Sequence, residues 1–158
     1  MELQGVRMAI GYRMAIVASR FNETITEGLL AGARDVLVEA GIREEDVVVV
    51  RVPGAFEIPL AAQRLAETGR FAAVVCLGCV IKGDTMHFEY IAGATTDGIA
   101  RASVVTGVPM AFGVLTTLTE AQAVARSVPG PENKGREAAL AAVEMATLLG
   151  ALDVGLRA

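Results

Sequence analysis

The single histidine, His87, lies next to a Gly-Asp-Thr sequence that separates an apolar run from a helical pattern. Gly83, Asp84 and Thr85 occupy the turn, and His87 falls in the first turn of the predicted helix. Free backbone N–H groups and the helix dipole suit such a position to an anion. The same dipole disfavours a protonated imidazole, which keeps the ring available as a base. From these residues alone, an ordinary turn capped by Asp84 or Thr85, with His87 unused, fits as well.

Aromatic and charged side chains elsewhere add candidate ligand contacts. Phe21 directly follows an apolar run and could stack on a flat ring, although a cap over the core fits equally well. Glu57 begins a helix and could accept hydrogen bonds from sugar hydroxyls. Phe112 lies within an apolar run, so its first interpretation is a core residue. Arg126 and Lys134 flank a Pro-Gly loop, where charged residues are usually solvated.

The two cysteines, Cys76 and Cys79, lie in the apolar run over residues 72–81. In a strand, residues three apart point to opposite faces. A redox C-x-x-C needs a helix start, and a zinc site needs further ligands that a chain with one histidine does not offer. Neither a P-loop nor a G-x-G-x-x-G sequence is present. We therefore predict that both cysteines are small core residues, and neither a zinc site nor a nucleotide site of the usual kinds is supported.

Apolar runs and helical patterns alternate along the chain, and these elements must position the candidate residues. Continuous apolar strands separated by helices indicate a parallel sheet covered on both faces. We predict a three-layer α/β/α sandwich with a four-stranded parallel sheet and flavodoxin-like topology, in a single domain over residues 1–158. Residues 1–11 form an edge segment that could pair with a neighbouring subunit. The predicted strands are residues 14–18, 47–50, 72–81 and 109–115; the helices are residues 24–40, 56–66, 87–106, 119–126 and, capped by Asn133, to about residue 149.

Ligands of open parallel sheets bind beyond the carboxyl ends of the strands. The polar and aromatic candidates collect in the segments that follow the four predicted strands. A ligand site at this edge is therefore predicted from the residues alone. These segments are residues 19–22, 53–57, 82–87 and 115–117.

Composition limits the class of partner. The chain has 158 residues, of which 53% are hydrophobic, and so more apolar surface than a monomer of this size easily hides. We therefore expect a homo-oligomer. A net charge of −4 argues against nucleic acid as a partner. The longest uncharged apolar run, residues 71–81, is shorter than the roughly 20 residues of a spanning helix, and the start has no secretory pattern. We expect no membrane partner and a cytoplasmic location.

Six stretches together resemble the lumazine synthase family, and their order and spacing match from about residue 13 to residue 149. Any one of them would be weak, but six in register are specific. Departures are small: Cys76 and Cys79 replace residues that are more often other small or apolar types, and the loop at residues 129–132 is richer in proline. The stretches are ASRFN (18–22), VPGAFEIP (52–59), GCVIKGDTMHF (78–88), FGVLTT (112–117), AQA (121–123) and NKGREAA (133–139).

The resemblance implies an enzyme that condenses 5-amino-6-(D-ribitylamino)uracil with (S)-3,4-dihydroxy-2-butanone 4-phosphate. The products would be 6,7-dimethyl-8-ribityllumazine, phosphate and water, in the penultimate step of riboflavin biosynthesis. By resemblance, His87 relays protons, and Asp84, Thr85 and Arg126 bind the phosphate, while no metal and no cofactor are called for. The implied contacts to the pyrimidine and its ribityl chain are Phe21, Asn22, Ala55, Phe56, Glu57, Cys79, Val80, Ile81, Phe112 and Lys134.

The resemblance also implies assembly. Members of the family form pentamers, and many pack twelve pentamers into an icosahedral shell, so we expect a pentamer and a shell. Phe112, Arg126 and Lys134 would then come from the adjacent subunit, and riboflavin synthase is a further partner that the family allows. Three alternatives remain: an archaeal-type riboflavin synthase, a non-catalytic shell or flavin-binding protein on the same scaffold, and a flavodoxin-like or receiver domain. The last lacks a suitable loop after the first strand.

Overall fold

Four parallel strands form one sheet in the computed structural model, which describes residues 1–155. The strand order is β2-β1-β3-β4, and every neighbouring pair is parallel. The predicted fold class is confirmed, as is the sequence of strands and helices. The strands are β1 (Met14–Ser19), β2 (Val47–Val52), β3 (Ala73–Ile81) and β4 (Met110–Thr117); the helices are α1 (Glu23–Glu39), α2 (Ile58–Glu67), α3 (His87–Thr106), α4 (Glu120–Ala125) and α5 (Lys134–Gly155); short 3₁₀ turns occupy Glu44–Asp46 and Ala55–Glu57.

Two cores lie on opposite faces of the sheet, because alternate residues of a strand point to opposite sides. On β1, Met14 and Ile16 pack with α1 and α5, whereas Ala15 and Val17 pack with α2 and α3. All six residues of β1 are buried, as expected for a central strand with helices on both faces. This arrangement is the predicted three-layer sandwich.

The two cysteines follow the same alternation. Cys76 belongs to the core beneath α2 and α3, and Cys79 belongs to the core beneath α1 and α5. Both are free and buried. Burial raises the pKa of the Cys76 thiol to about 12 and that of the Cys79 thiol to about 11, since a thiolate is poorly solvated there. The prediction that both are small core residues is confirmed.

Local signals in the sequence place the helix ends. Gly41, which follows the C-cap Ala40 of α1, has a φ of 82°, a conformation that glycine adopts without strain. The hydroxyl of Thr119 accepts a hydrogen bond from the Gln122 N–H at 3.2 Å, which confirms it as the N-cap of α4. Asn133 likewise caps α5 through its Oδ1.

Helix α5 continues to Gly155, beyond the predicted end near residue 149. The apolar stripe weakens there, but Gly150 does not end the helix. A Cβ on Gly150 would lie 2.8 Å from the hydroxyl oxygen of Tyr12, so this glycine serves close packing against the N-terminal segment. The prediction was wrong because a packing contact with a distant segment has no signature in a local pattern.

By length and composition, α5 could cross a membrane, with a mean hydropathy of 1.5 over its most apolar window. Within the fold, its buried residues contact α1 and the sheet instead. Since 33% of that window is buried, core packing accounts for part of its apolar character.

Residues 1–11 form no strand within the described chain; they cross α5 and reach the end of α1. The N–H of Val6 donates to Thr147 Oγ1 at 2.9 Å, and the N–H of Ala9 donates to the carbonyl of Ala40 at 2.9 Å. Leu3, among others in this segment, remains exposed. Pairing of the segment with a neighbouring subunit remains a prediction.

Candidate active site

A cavity of about 440 Å³ opens at the carboxyl ends of β1, β2 and β3. The strand order reverses between β1 and β3, and such a switch point is where open parallel sheets hold ligands. The volume falls within the range of small-molecule sites. Nine of the predicted site residues line it: Phe21, Ala55, Phe56, Glu57, Cys79, Val80, Ile81, Thr85 and His87.

The β1–α1 turn brings Phe21 to the cavity. The Phe21 N–H donates to the carbonyl of Pro53 at 3.1 Å, which ties this turn to the end of β2. Asn22 adopts the left-handed conformation, with φ 59° and ψ 51°, and its Nδ2 donates to the carbonyl of Cys79 at 3.0 Å. Asn22 is the one non-glycine residue with positive φ in residues 1–155. It therefore stores modest strain at the site, and its amide bridges β1 and β3 rather than lining the cavity.

The turn after β2 presents an aromatic ring and a carboxylate. Phe56 lines the cavity with 60% of its surface exposed, and Phe21 lines it with 71% exposed. Exposed aromatic side chains facing one cavity provide apolar surface for a flat ring. Glu57 Oε2 accepts a hydrogen bond from the Gly54 N–H at 3.0 Å, which holds this turn and orients the carboxylate.

The turn after β3 carries the predicted anion site. The Lys82 N–H donates to the carbonyl of Thr117 at 2.9 Å, which fixes the start of the turn against β4. The His87 N–H donates to Thr85 Oγ1 at 3.3 Å, so Thr85 satisfies a free N–H of the first turn of α3. Thr85 and His87 line the cavity, whereas the exposed Asp84 does not.

Electrostatically, this cavity is poor in cations. Of the described residues that line it, none is lysine or arginine, and the one carboxylate is Glu57. A phosphate bound here would rely on backbone N–H groups and the α3 dipole alone.

Arg126, Lys134 and Phe112 line a second cavity, of about 270 Å³, along the edge strand β4. It shares no lining residue with the first. Arg126 donates from a guanidinium nitrogen to the carbonyl of Gln122 at 2.9 Å, and Lys134 Nζ lies 2.6 Å from a carboxylate oxygen of Glu137. The fold of one chain thus separates the predicted site residues into two groups.

Two further residues line the first cavity that lie outside the predicted strand-end segments: Phe88 and Ile91. Ile91 lies four residues after His87 on α3, so helical periodicity from His87 would have indicated it, whereas Phe88 directly follows His87 and is not on that periodicity. In residues 1–155 no group of three or more His, Cys, Asp or Glu side chains is arranged to hold a metal ion.

A parallel α/β/α sheet with an aromatic cavity and a helix N-terminus at its switch point defines a class of small-molecule-binding domain. The family model for 6,7-dimethyl-8-ribityllumazine synthase matches residues 11–150. The chain is also 50% identical over 152 residues to the 6,7-dimethyl-8-ribityllumazine synthase of Salinibacter ruber (strain DSM 13855 / M31), covering 96% of this chain and 97% of that protein. The chain belongs to the 6,7-dimethyl-8-ribityllumazine synthase family.

Proposed function

We propose that the protein is a transferase of riboflavin biosynthesis that condenses 5-amino-6-(D-ribitylamino)uracil with (S)-3,4-dihydroxy-2-butanone 4-phosphate to form 6,7-dimethyl-8-ribityllumazine. The observation that carries this proposal is the cavity at the switch point, in which exposed Phe21 and Phe56 accompany His87 and the start of α3. Family membership supports the same reaction.

The pyrimidine is proposed to bind in the first cavity. Phe21 stacks on the ring, and Val80 and Ile81 contact its edge through backbone groups at the end of β3. Asn22 contributes by fixing the end of β3, because its side-chain amide donates to the carbonyl of Cys79. Glu57, oriented by its bond to the Gly54 N–H, accepts from the ribityl hydroxyls.

The phosphate is proposed to bind where backbone N–H groups of Asp84 and Thr85 meet a guanidinium from an adjacent subunit. The first cavity has no cationic side chain among its described lining residues, and Arg126 lies in the second. A phosphate carries close to two negative charges and favours bidentate contact with arginine. A site completed across the subunit interface supplies that charge, with Phe112 and Lys134 from the same neighbour.

The chemistry follows from holding both substrates together. The 5-amino group attacks the ketone and forms an imine with loss of water, and phosphate then leaves by elimination. Loss of the C3 proton with the C4 phosphate leaves an enol, which takes up a proton at C4 and becomes a new ketone at C3. The ribityl-bearing nitrogen attacks that ketone, and a second water is lost as the ring closes. Each step moves a proton, and His87 is the side chain placed to relay it. Orientation of the bound substrates supplies much of the remaining rate.

Assembly into a pentamer is part of this proposal, because the two cavities must meet. Helix α3 supports it: Tyr90, Val104 and Val105 on this helix are each at least 70% exposed. Exposed apolar surface on a helix is a common protein–protein interface. The open edge of β2 lies beside a depression lined by Leu37, Val38 and Ile42, among other residues, where a neighbour's N-terminal segment could pair.

The proposal extends to packing of twelve pentamers in a shell, to riboflavin synthase as a partner and to a cytoplasmic location. These extensions are supported by the family resemblance alone. Sedimentation velocity measures the first of them directly, because a pentamer and a shell differ twelvefold in mass.

A direct assay tests the function. The purified protein is mixed with both substrates, without metal or cofactor, and the fluorescent lumazine is followed against the uncatalysed rate. Acceleration is the expected result. No acceleration by a folded oligomer would contradict the proposal and favour a non-catalytic shell or flavin-binding protein, whereas consumption of lumazine to form riboflavin would favour a riboflavin synthase.

A further inference from the structure

Asn133 is buried at the junction of α1, the loop after α4 and the start of α5, with 1% of its surface exposed. Its Nδ2 faces three carbonyl oxygens: those of Gly28 at 3.1 Å, Ser127 at 2.9 Å and Val128 at 3.1 Å. Gly28 belongs to α1, and the other two follow Arg126 in the chain. One amide group therefore ties the loop to a core helix.

The other end of the same amide fixes α5. Oδ1 of Asn133 accepts from the N–H groups of Gly135 at 2.9 Å and Arg136 at 3.1 Å. The N–H of Lys134 donates to the carbonyl of Arg126 at 2.9 Å. This bond closes the loop between Arg126 and Lys134, the two cationic residues of the second cavity. A helix cap alone needs only the Oδ1 bonds, whereas the two hydrogens of Nδ2 are shared among three carbonyls, which exceeds that need.

The neighbouring glycines allow this close approach. A Cβ on Gly32 would overlap Oδ1 of Asn133, and a Cβ on Gly28 would overlap the carbonyl of Ser127. Both glycines belong to α1, where Gly32 is buried and Gly28 is partly buried. The junction is therefore packed to hold the amide in one position.

We propose that Asn133 is a positioning residue that places Arg126 for the substrate phosphate. The inference rests on the proposed function, in which Arg126 binds that phosphate. Ser127 follows Arg126 in the chain, and its carbonyl accepts a hydrogen bond from Asn133. Lys134, the other neighbour of Arg126 in the closed loop, directly follows Asn133 in the chain. Without the amide, the Arg126 backbone loses its link to α1, and the guanidinium samples positions away from the phosphate.

The test uses Asn133→Ser in the full-length oligomer, because serine keeps an N-cap oxygen for α5 and loses the bonds to the three carbonyls. The KM for the sugar phosphate rises about tenfold, the size expected for one misplaced charge-assisted hydrogen bond. The KM for the pyrimidine rises less, and kcat stays within about twofold, since the first cavity is unchanged. Inhibition by inorganic phosphate weakens by the same factor as the sugar phosphate KM rises.

A double-mutant cycle separates positioning from general loosening. In an Arg126→Ala background, Asn133→Ser changes the sugar phosphate KM by less than about twofold, because its effect acts through the missing guanidinium. Thr147→Val is the control: it removes a buried hydroxyl, bonded to Val6, at the other end of α5. It lowers Tm and leaves both KM values unchanged.

The inference is overturned if Asn133→Ser has the wild-type KM for the sugar phosphate. It is also overturned if the substitution still raises that KM in the Arg126→Ala background. If Asn133→Ser does not fold, Asn133→Asp, which keeps the shape and the cap, takes its place in the cycle. Loss of fold in both variants also overturns it, since the amide would then serve the fold alone. A wild-type protein that forms no lumazine defeats the proposed function instead, and calorimetric binding of inorganic phosphate to the same variants then decides the inference.

Discussion

The two cavities of this chain are built in different ways. The first collects residues from the ends of three strands, and its side chains are aromatic, aliphatic and small, with His87 at a helix start. The second lies along a single edge strand and a loop held by Asn133, and it carries Arg126 and Lys134. One region offers shape and an imidazole, and the other offers charge. A substrate pair with a flat ring and a phosphate needs both.

Removing the imidazole of His87, the proposed proton carrier, should have the largest effect on turnover. His87→Ala is expected to lower kcat by about 10²-fold, the lower range for a general acid–base group, with little change in Tm because the side chain is exposed. Steady-state fluorescence and thermal unfolding measure the two quantities. Glu89→Ala, an exposed change in the same turn, is the control with unchanged kcat. A large fall in Tm for His87→Ala would instead make His87 a structural residue.

Removing the positive charge of Arg126 should weaken the binding of one substrate, the sugar phosphate. Arg126→Ala is expected to raise the KM for the sugar phosphate about tenfold to a hundredfold, since a hydrogen bond to a charged group contributes about 1.5–3 kcal/mol. The KM for the pyrimidine should change far less. Arg64→Ala removes an exposed arginine on α2 and controls for net charge. Equal effects of Arg126→Ala on both substrates would argue against a phosphate contact.

Combining the two variants in one oligomer tests whether an active site joins the first cavity of one subunit to the second cavity of its neighbour. Co-expressed His87→Ala and Arg126→Ala chains should recover activity at about one site in four, from random pairing of two chain types around a ring. Each variant assembled alone stays nearly inactive at low sugar phosphate. Recovery is measured on the purified mixed oligomer. Activity no higher than the mean of the two variants would place His87 and Arg126 of one chain in the same site.

The smallest effect is expected at the cysteines beneath the first cavity. Because burial raises the pKa of Cys76 to about 12 and that of Cys79 to about 11, both thiols are protonated at pH 8. Iodoacetamide should leave both unmodified in the native protein and modify both in denaturant, as judged by intact mass. Rapid modification of native Cys79 with loss of activity would show that its thiol, and not only its carbonyl, is open to the cavity.

Much of the first cavity could be anticipated from local patterns. The runs that form β1 and β3 and the Gly-Asp-Thr turn before α3 predict where Phe21 and His87 lie, because strand ends meet at one edge of a parallel sheet. Phe88 and Ile91 were missed, since no polar feature drew attention to them. The role of Asn133 beyond a cap was also missed, because its carbonyl partners come from two separate segments.

The sequence by itself determined the alternation of elements, the two-sided burial of the strands, the core placement of the cysteines and the family. Periodicity and apolar runs encode these features, since they depend on residues close together in the chain. Only the tertiary structure decided that Arg126 and Lys134 line a cavity separate from the one that Phe21 and His87 share. That separation depends on strand order and on where α5 leaves the sheet, and these are set by packing between residues distant in sequence.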